Sequence, residues 1–254
     1  MKKITPATMR FTDGPAINLV FHGVSGPQRK PNEDNENYFL SAEKFEKTIS
    51  ILAEIKRYAA RAGKVTPFEL TFDDGNLSDH AIAMPTLLRY GLVKETTFFI
   101  LTGCFDTQIN VSKDQVRDLA RNGFEIGSHG ITHINWQSAT REVLKHELLE
   151  SKRVLEEVLA AGQQITQRAV NTAALPYGLY NKETLELSRQ CGYTRVYSID
   201  GGPASGTLDP IPRYSLLEPY EPEALPEIIQ TLGTPGKRVE QVKNVIAKGG
   251  SWSP

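Results

Sequence analysis

The sequence predicts an α/β protein: about seven parallel strands with helices outside, closed into an irregular barrel or left as an open doubly wound sheet. Three observations predict it. Short apolar runs alternate with helical patterns along nearly the whole chain. Most of the helical patterns close on a glycine. Asp73, Asp74, His129 and Asp200 each stand just past a predicted strand, where parallel α/β folds collect their functional residues. A chain of 254 residues has room for one such domain, and no repeat, low-complexity tract or long Gly/Ser linker divides it.

The elements follow in order. Residues 16–21 (AINLVF) are a continuous apolar run, short enough for a buried strand. The loop GPQRKPNEDNENY after it is too charged for a core. Ser41 opens a helix in which Phe45, Ile49, Leu52 and Ile55 recur at spacings of three and four, and Gly63 ends it. Residues 68–72 are the next strand. Asp79 is placed to cap a helix through Leu88, bent or interrupted at Pro85. Residues 96–101 (TTFFIL) are β-branched and aromatic, as strands prefer. Ser112 and Gln115 form a capping box, and Gly123 closes that helix. After a short strand at 124–127, Ser138 begins a long helix with Leu144, Leu148, Leu155 and Leu159 on one face and Gly162 at its end. A strand at 169–175, a helix from Asn181 to Cys191, and strands at 193–199 and 211–216 complete the series. From about residue 218 to 254, helical patterns interrupted by prolines predict a surface layer.

Composition narrows the function classes. Hydrophobic residues at 39% and charged residues at 23% describe a soluble globular protein. A net charge of −1 gives neither nucleic acid nor an anionic membrane a reason to bind. No apolar run approaches the roughly 18 residues of a membrane span. The N-terminal stretch has no continuous apolar segment of the signal-peptide kind. Cys104 and Cys191 are isolated, without CxxC spacing. A cytoplasmic protein with two reduced thiols is expected. Its oligomeric state is not fixed by these features.

The chemistry gathers in two stretches. LTFDDGN (Leu70–Asn76) sets two like charges side by side at a strand end. SHGITH (Ser128–His133) places two of only five histidines four residues apart, also after a strand. At that spacing His129 and His133 can face one point, and neutral imidazole is the commonest metal-binding side chain. Two imidazoles and one carboxylate make a three-ligand site with a position open for water. A divalent cation would stabilise one aspartate by coordination and leave the other to act on that water. DDG alone is ordinary turn chemistry; the two motifs at strand ends of one domain carry more than either alone.

TFDDG followed by SHGITH resembles the polysaccharide deacetylase (NodB-homology, carbohydrate esterase family 4) pattern. FHGV near the N-terminus, NYFLSAEKFEKTISIL, TTFFILTG, ALPYGLYNKETLELSRQCGY and IPRYSL agree in order with its poly-N-acetylglucosamine deacetylase branch. The likeness runs from about Asn18 to Leu217. It implies a single-domain distorted (β/α) barrel over 1–254, with a core at about 16–217, and metal-dependent removal of acetyl from an N-acetylated carbohydrate. By motif, Asp73 is then the general base and Asp74, His129 and His133 hold one divalent metal ion. Zinc suits that set best, with cobalt, nickel, manganese and iron as alternatives. The Tyr177 backbone N–H, in the PYG segment, would stabilise the oxyanion.

Two departures stand out. The family's arginine two residues before the PYG proline is Ala174 here, so Arg213 is the expected substitute for positioning Asp73. No histidine follows His146, so His22, at the end of the first strand, is the expected acid. Asp200 would orient His22 or make a turn. Trp136, Tyr180 and Asn76 are expected on the substrate side; Tyr38 is expected in the core, and His80 and His146 on the surface. Two other functions stay open: hydrolysis of a non-sugar amide, and glycan binding without turnover.

Overall fold

Strands and helices alternate as the sequence predicts. A computed structural model of the chain describes residues 4–11, 13, 17–25, 38–204 and 209–233. The strands are β1 (Ile17–Phe21), β2 (Val24–Ser25), β3 (Leu40–Ser41), β4 (Phe68–Phe72), β5 (Thr96–Ile100), β6 (Glu125–Ser128), β7 (Thr172–Ala174), β8 (Arg195–Tyr197) and β9 (Tyr214–Ser215). The helices are α1 (Ala42–Arg61), α2 (Met84–Tyr90), α3 (Lys113–Arg121), α4 (Arg141–Ala160), α5 (Lys182–Gln190) and α6 (Leu225–Leu232). Seven strands form one sheet in the order β8-β7-β6-β5-β4-β1-β9, every pair parallel. The short parallel pair β2–β3 lies beside it.

The sheet curls until its edges are joined by one piece of chain. Ile211 bridges in parallel to Tyr197 of β8. Its N–H donates to Val196 O at 2.7 Å, and its carbonyl accepts from Ser198 N at 2.9 Å. Three residues later β9 pairs with β1, Leu19 opposite Tyr214. The segment Ile211–Ser215 therefore crosses from β8 to β1, and the fold is a distorted (β/α) barrel.

Strand alternation sorts side chains between two cores. On the outer face Phe21 and Phe72, and Phe72 and Phe98, stack with ring centroids 4.8 Å apart. Phe45 of α1 meets Phe21 edge-on. The inner face is small: Phe99, Ala174 and Tyr197 form their own cluster with Ile211. Below it, Arg195 donates to Glu69 Oε2 at 2.7 Å across the barrel.

Some boundaries differ from expectation. The long helix starts after Thr140, not Ser138, because the Thr140 hydroxyl accepts from Val143 N. Pro85 does not end a helix: helical backbone runs unbroken over residues 77–90, with a π-helical turn directly before the proline. Asp79 opens a π-helical turn, Asp79–Ala83, ahead of α2, and its carboxylate caps Asn76 N at 2.9 Å instead. The strands expected at 169–175, 193–199 and 211–216 pair over only two or three residues each. α6 buries Leu225, Ile229 and Leu232. The charged loop at 26–37 and residues 234–254 lie outside the described residues.

Candidate metal and catalytic site

The turn after β4 separates the two aspartates. Asp73 still continues the strand, its N–H donating to Phe21 O at 3.0 Å. Asp74 then adopts φ 75°, in the left-handed region, which swings its carboxylate out over the barrel mouth. Asn110 Nδ2 donates to the Asp74 carbonyl at 3.1 Å and fixes the turn from the next loop.

Asp73 is 2% exposed, and Arg213 is fully buried. Arg213 Nη1 donates to Asp73 Oδ1 at 2.6 Å and Nη2 to Oδ2 at 2.8 Å. The guanidinium is itself held: Nε donates to Ser198 O at 3.0 Å and Nη1 to Thr71 Oγ1 at 3.1 Å. The Phe99 and Tyr197 rings flank it, with centroids at 5.4 and 5.8 Å. Burial alone would raise the Asp73 pKa, but Arg213 and His129 outweigh it and hold the carboxyl below the usual carboxylate range. Its carboxylate is thus ionised and fixed in direction.

His129 and His133 converge on Asp74. Asp74 Oδ1 lies 3.5 Å from His129 Nε2 and 3.6 Å from His133 Nε2. His129 Nδ1 is 2.9 Å from the Ala174 carbonyl. A carbonyl can only accept, so Nδ1 carries the proton and Nε2 presents a lone pair toward Asp74. The strand residue that stands in for the family's arginine thus sets the tautomer of a ligand through its backbone.

Acceptors facing one another at this range repel unless a cation or a proton lies between them. The donor atoms of all three residues lie within 4.8 Å of one another. Zinc bonds of ~2.0–2.1 Å in a tetrahedron place ligand atoms about 3.4 Å apart, so the set fits one divalent ion with few shifts. Burial would raise Asp74, but the nearness of His129 and the other imidazoles holds it well below the usual range. Burial pushes His133 down to about 4, helped by His129. That ring is neutral and ready to donate a lone pair at neutral pH.

The other expected residues divide. His22 follows β1, its ring edge-on to Tyr38 at 5.0 Å, and its Nδ1 is buried without a hydrogen-bond partner. Burial lowers its pKa against the pull of Asp73 and Asp74, so the ring is uncharged at rest. Tyr177, left-handed at φ 58° and 51% exposed, packs its ring 4.3 Å from His133 and puts the PYG segment at the mouth. Tyr180 is at the rim, its hydroxyl donating to Asp200 at 2.9 Å. Asp200 also accepts from Ser198 Oγ; it braces Tyr180 and does not orient His22.

Two expectations need correction. Trp136 is 1% exposed and offers a sugar no ring face. Asn76 is buried, and its amide donates to His22 O at 2.7 Å and Asp73 O at 3.3 Å, so it ties two site loops together. His80 pairs with Asp118 on α3 at 2.9 Å, and His146 is exposed. Thr71, Ser198 and Asn110 were not singled out by sequence. Only Thr71 left a trace, as the polar inward position two residues before Asp73.

Comparison with known proteins agrees with this fold. A family profile described as polysaccharide deacetylase matches residues 61–196. A Bacillus subtilis protein with a polysaccharide deacetylase name, YxkH, is 29% identical over 136 residues; the match takes in 54% of this chain and 46% of that protein, less than half its length. The poly-beta-1,6-N-acetyl-D-glucosamine N-deacetylase of Staphylococcus aureus is 23% identical over 229 residues, covering 77% of this chain and 76% of that one. In fold, the Streptococcus pyogenes deacetylase PplD, solved with acetate, superposes with a TM-score of 0.71 at 22% identity, over 86% of this chain and 99% of that one.

Proposed function

Because this chain belongs to the polysaccharide deacetylase family, hydrolases of carbon–nitrogen bonds other than peptide bonds, we propose that it removes N-acetyl groups from a glycan or sugar conjugate. Asp74, His129 and His133 hold one divalent metal ion in this reading, zinc being the best match to a carboxylate and two imidazoles. The observation that carries it is the pairing of three convergent acceptors with a second carboxylate, Asp73, kept separate and ionised by Arg213. The name of the Staphylococcus aureus relative supports an N-acetylglucosamine-containing substrate.

A bound divalent cation supplies Lewis acidity toward water and the amide carbonyl. The chain supplies the rest. Asp73 takes a proton from the attacking water, and its two bonds to Arg213 keep one geometry while it does so. The Tyr177 backbone N–H receives the negative charge that develops on the carbonyl oxygen. As the C–N bond breaks and acetate leaves, the proton taken up by Asp73 passes to the amine by way of His22, whose buried Nδ1 has no other hydrogen-bond partner among the described residues.

The test joins elemental analysis of the purified protein to acetate release from a panel of N-acetylated sugars and small amides. One divalent ion per chain and release from sugars are expected. Asp73→Asn should lower turnover by about 10²–10⁴-fold while the metal stays bound. A fully metallated protein that releases acetate from none of the panel would leave glycan binding as its function. Release from small amides alone would make it an amidase of another class.

A further inference from the structure

We infer that Glu147, on α4, is a positioning residue for the metal centre: it grips the loop between His129 and His133 and so sets how tightly the site holds a divalent cation. The inference rests on the metal-binding role proposed above for those histidines.

Glu147 sits in a helix whose other acidic residues face solvent or surface partners, yet it is only 4% exposed. Among the described residues no lysine or arginine pairs with it. Its hydrogen bonds instead run to the histidine loop. Oε2 accepts from Ile131 N at 2.7 Å and from Thr132 N at 3.4 Å, and Oε1 accepts from Thr132 Oγ1 at 2.7 Å. A buried carboxylate without a cationic partner is costly unless its oxygens are satisfied by donors. Here the donors all come from two residues of one loop.

The rest of that loop is held from other sides. His129 N donates to Ile100 O at 3.0 Å, and Gly130 N to Ser128 Oγ at 3.1 Å. Thr102 N and Gly103 N donate to the Gly130 and Ile131 carbonyls at 3.1 and 2.9 Å. Among the described residues Glu147 is thus the side chain by which α4 holds Ile131 and Thr132, which lie between the two ligands in sequence. Groups that orient ligands without touching the metal typically change metal affinity 10–100-fold when altered. Its negative charge, near the site and unpaired, acts in the same direction by favouring a cation.

The experiment is a titration of metal-free protein with Co(II), followed by the visible bands of the bound ion. The bands report ligand geometry and the titration gives Kd, so neither depends on activity. Glu147→Gln keeps the shape and removes the charge; it is expected to raise Kd about tenfold and shift the bands. Thr132→Val removes a donor from the loop side, and its effect should be less than additive with that of Glu147→Gln. Thr48→Val removes a buried hydroxyl bonded to Lys44 O, far from the site, and should leave Kd and bands unchanged. Glu147→Ala is the harsher variant; circular dichroism establishes whether it folds, and Glu147→Gln decides if it does not. Wild-type Kd and bands in Glu147→Gln would overturn the inference while leaving the metal site intact. Wild-type protein that binds no Co(II) would overturn the metal site and the inference with it.

Discussion

Asp73 is a charge almost wholly buried from bulk solvent, and Arg213 is what makes that tolerable. Breaking a buried ion pair by removing one partner costs roughly 3–5 kcal/mol. Arg213→Met should therefore destabilise the protein by about that amount, as read by urea denaturation. It should also move the pH profile. With the guanidinium present, Asp73 has a depressed pKa, so it stays a base down to acidic pH. Without it, burial dominates and the pKa rises; the acid limb of kcat/KM should shift to higher pH. An unmoved limb would mean that Arg213 does not act through Asp73. The same depressed pKa makes the pair stabilising at neutral pH, a contribution lost as the pH falls through the folded-state value.

At this scale the sequence was legible where chemistry concentrates in short motifs. Asp73-Asp74 and His129-x-x-x-His133 are adjacent in the chain and adjacent in space. Arg213 could be expected from the absence of an arginine at Ala174. Glu147 could not: it is one of many glutamates on a charged helix, and only its burial distinguishes it. Trp136 was misplaced because nearness in sequence to a ligand says nothing about which side of the loop a ring occupies.

The loops at the barrel mouth share a strained backbone. Asp74, His133 and Tyr177 all have positive φ, a conformation costing of order 1–3 kcal/mol for a non-glycine residue and typical of functional sites. Gly130, at φ 85°, adds a steric condition: a Cβ there would lie 2.7 Å from Glu147 Oε2 and 3.0 Å from Trp136 Cζ2. Gly130→Ala should therefore displace the histidine loop. The expected result is a loss of metal affinity of tenfold or more with the far-ultraviolet circular dichroism retained, and an altered emission from Trp136 against the same glycine. Unchanged affinity would show that the loop has slack. Element types were readable from periodicity, whereas the short strands β7, β8 and β9 were not bounded by it. Their ends are decided by how far a curling sheet can keep its register, which is a property of neighbours.

Over the whole molecule, the metal site joins loops that follow two different strands, β4 and β6. A cation that binds only the folded state stabilises it by about 2.7 kcal/mol at a free concentration 100 times Kd. For a chain of this size each kcal/mol moves Tm by about 2–4 °C. Thermal melts with zinc and with a chelator should differ accordingly. An identical Tm in both would count against a cation shared between these loops. The parallel barrel was foreseeable from alternating strand and helix patterns, with an open sheet as the alternative, but not that Ile211–Ser215 would be the segment joining β8 to β1.

That closing segment also gives the molecule an order of assembly. Asp74, His129 and His133 all precede it in the chain, so a growing polypeptide presents the complete cation-binding set well before Arg213 exists. Until Ile211–Ser215 docks between β8 and β1, Asp73 has no guanidinium to fix the direction of its carboxylate. Metal loading can come early in the life of the chain; hydrolytic competence arrives with the final strand. An unfinished or locally opened molecule thus lacks a fixed Asp73, because the residue that holds it lies on the segment that shuts the barrel.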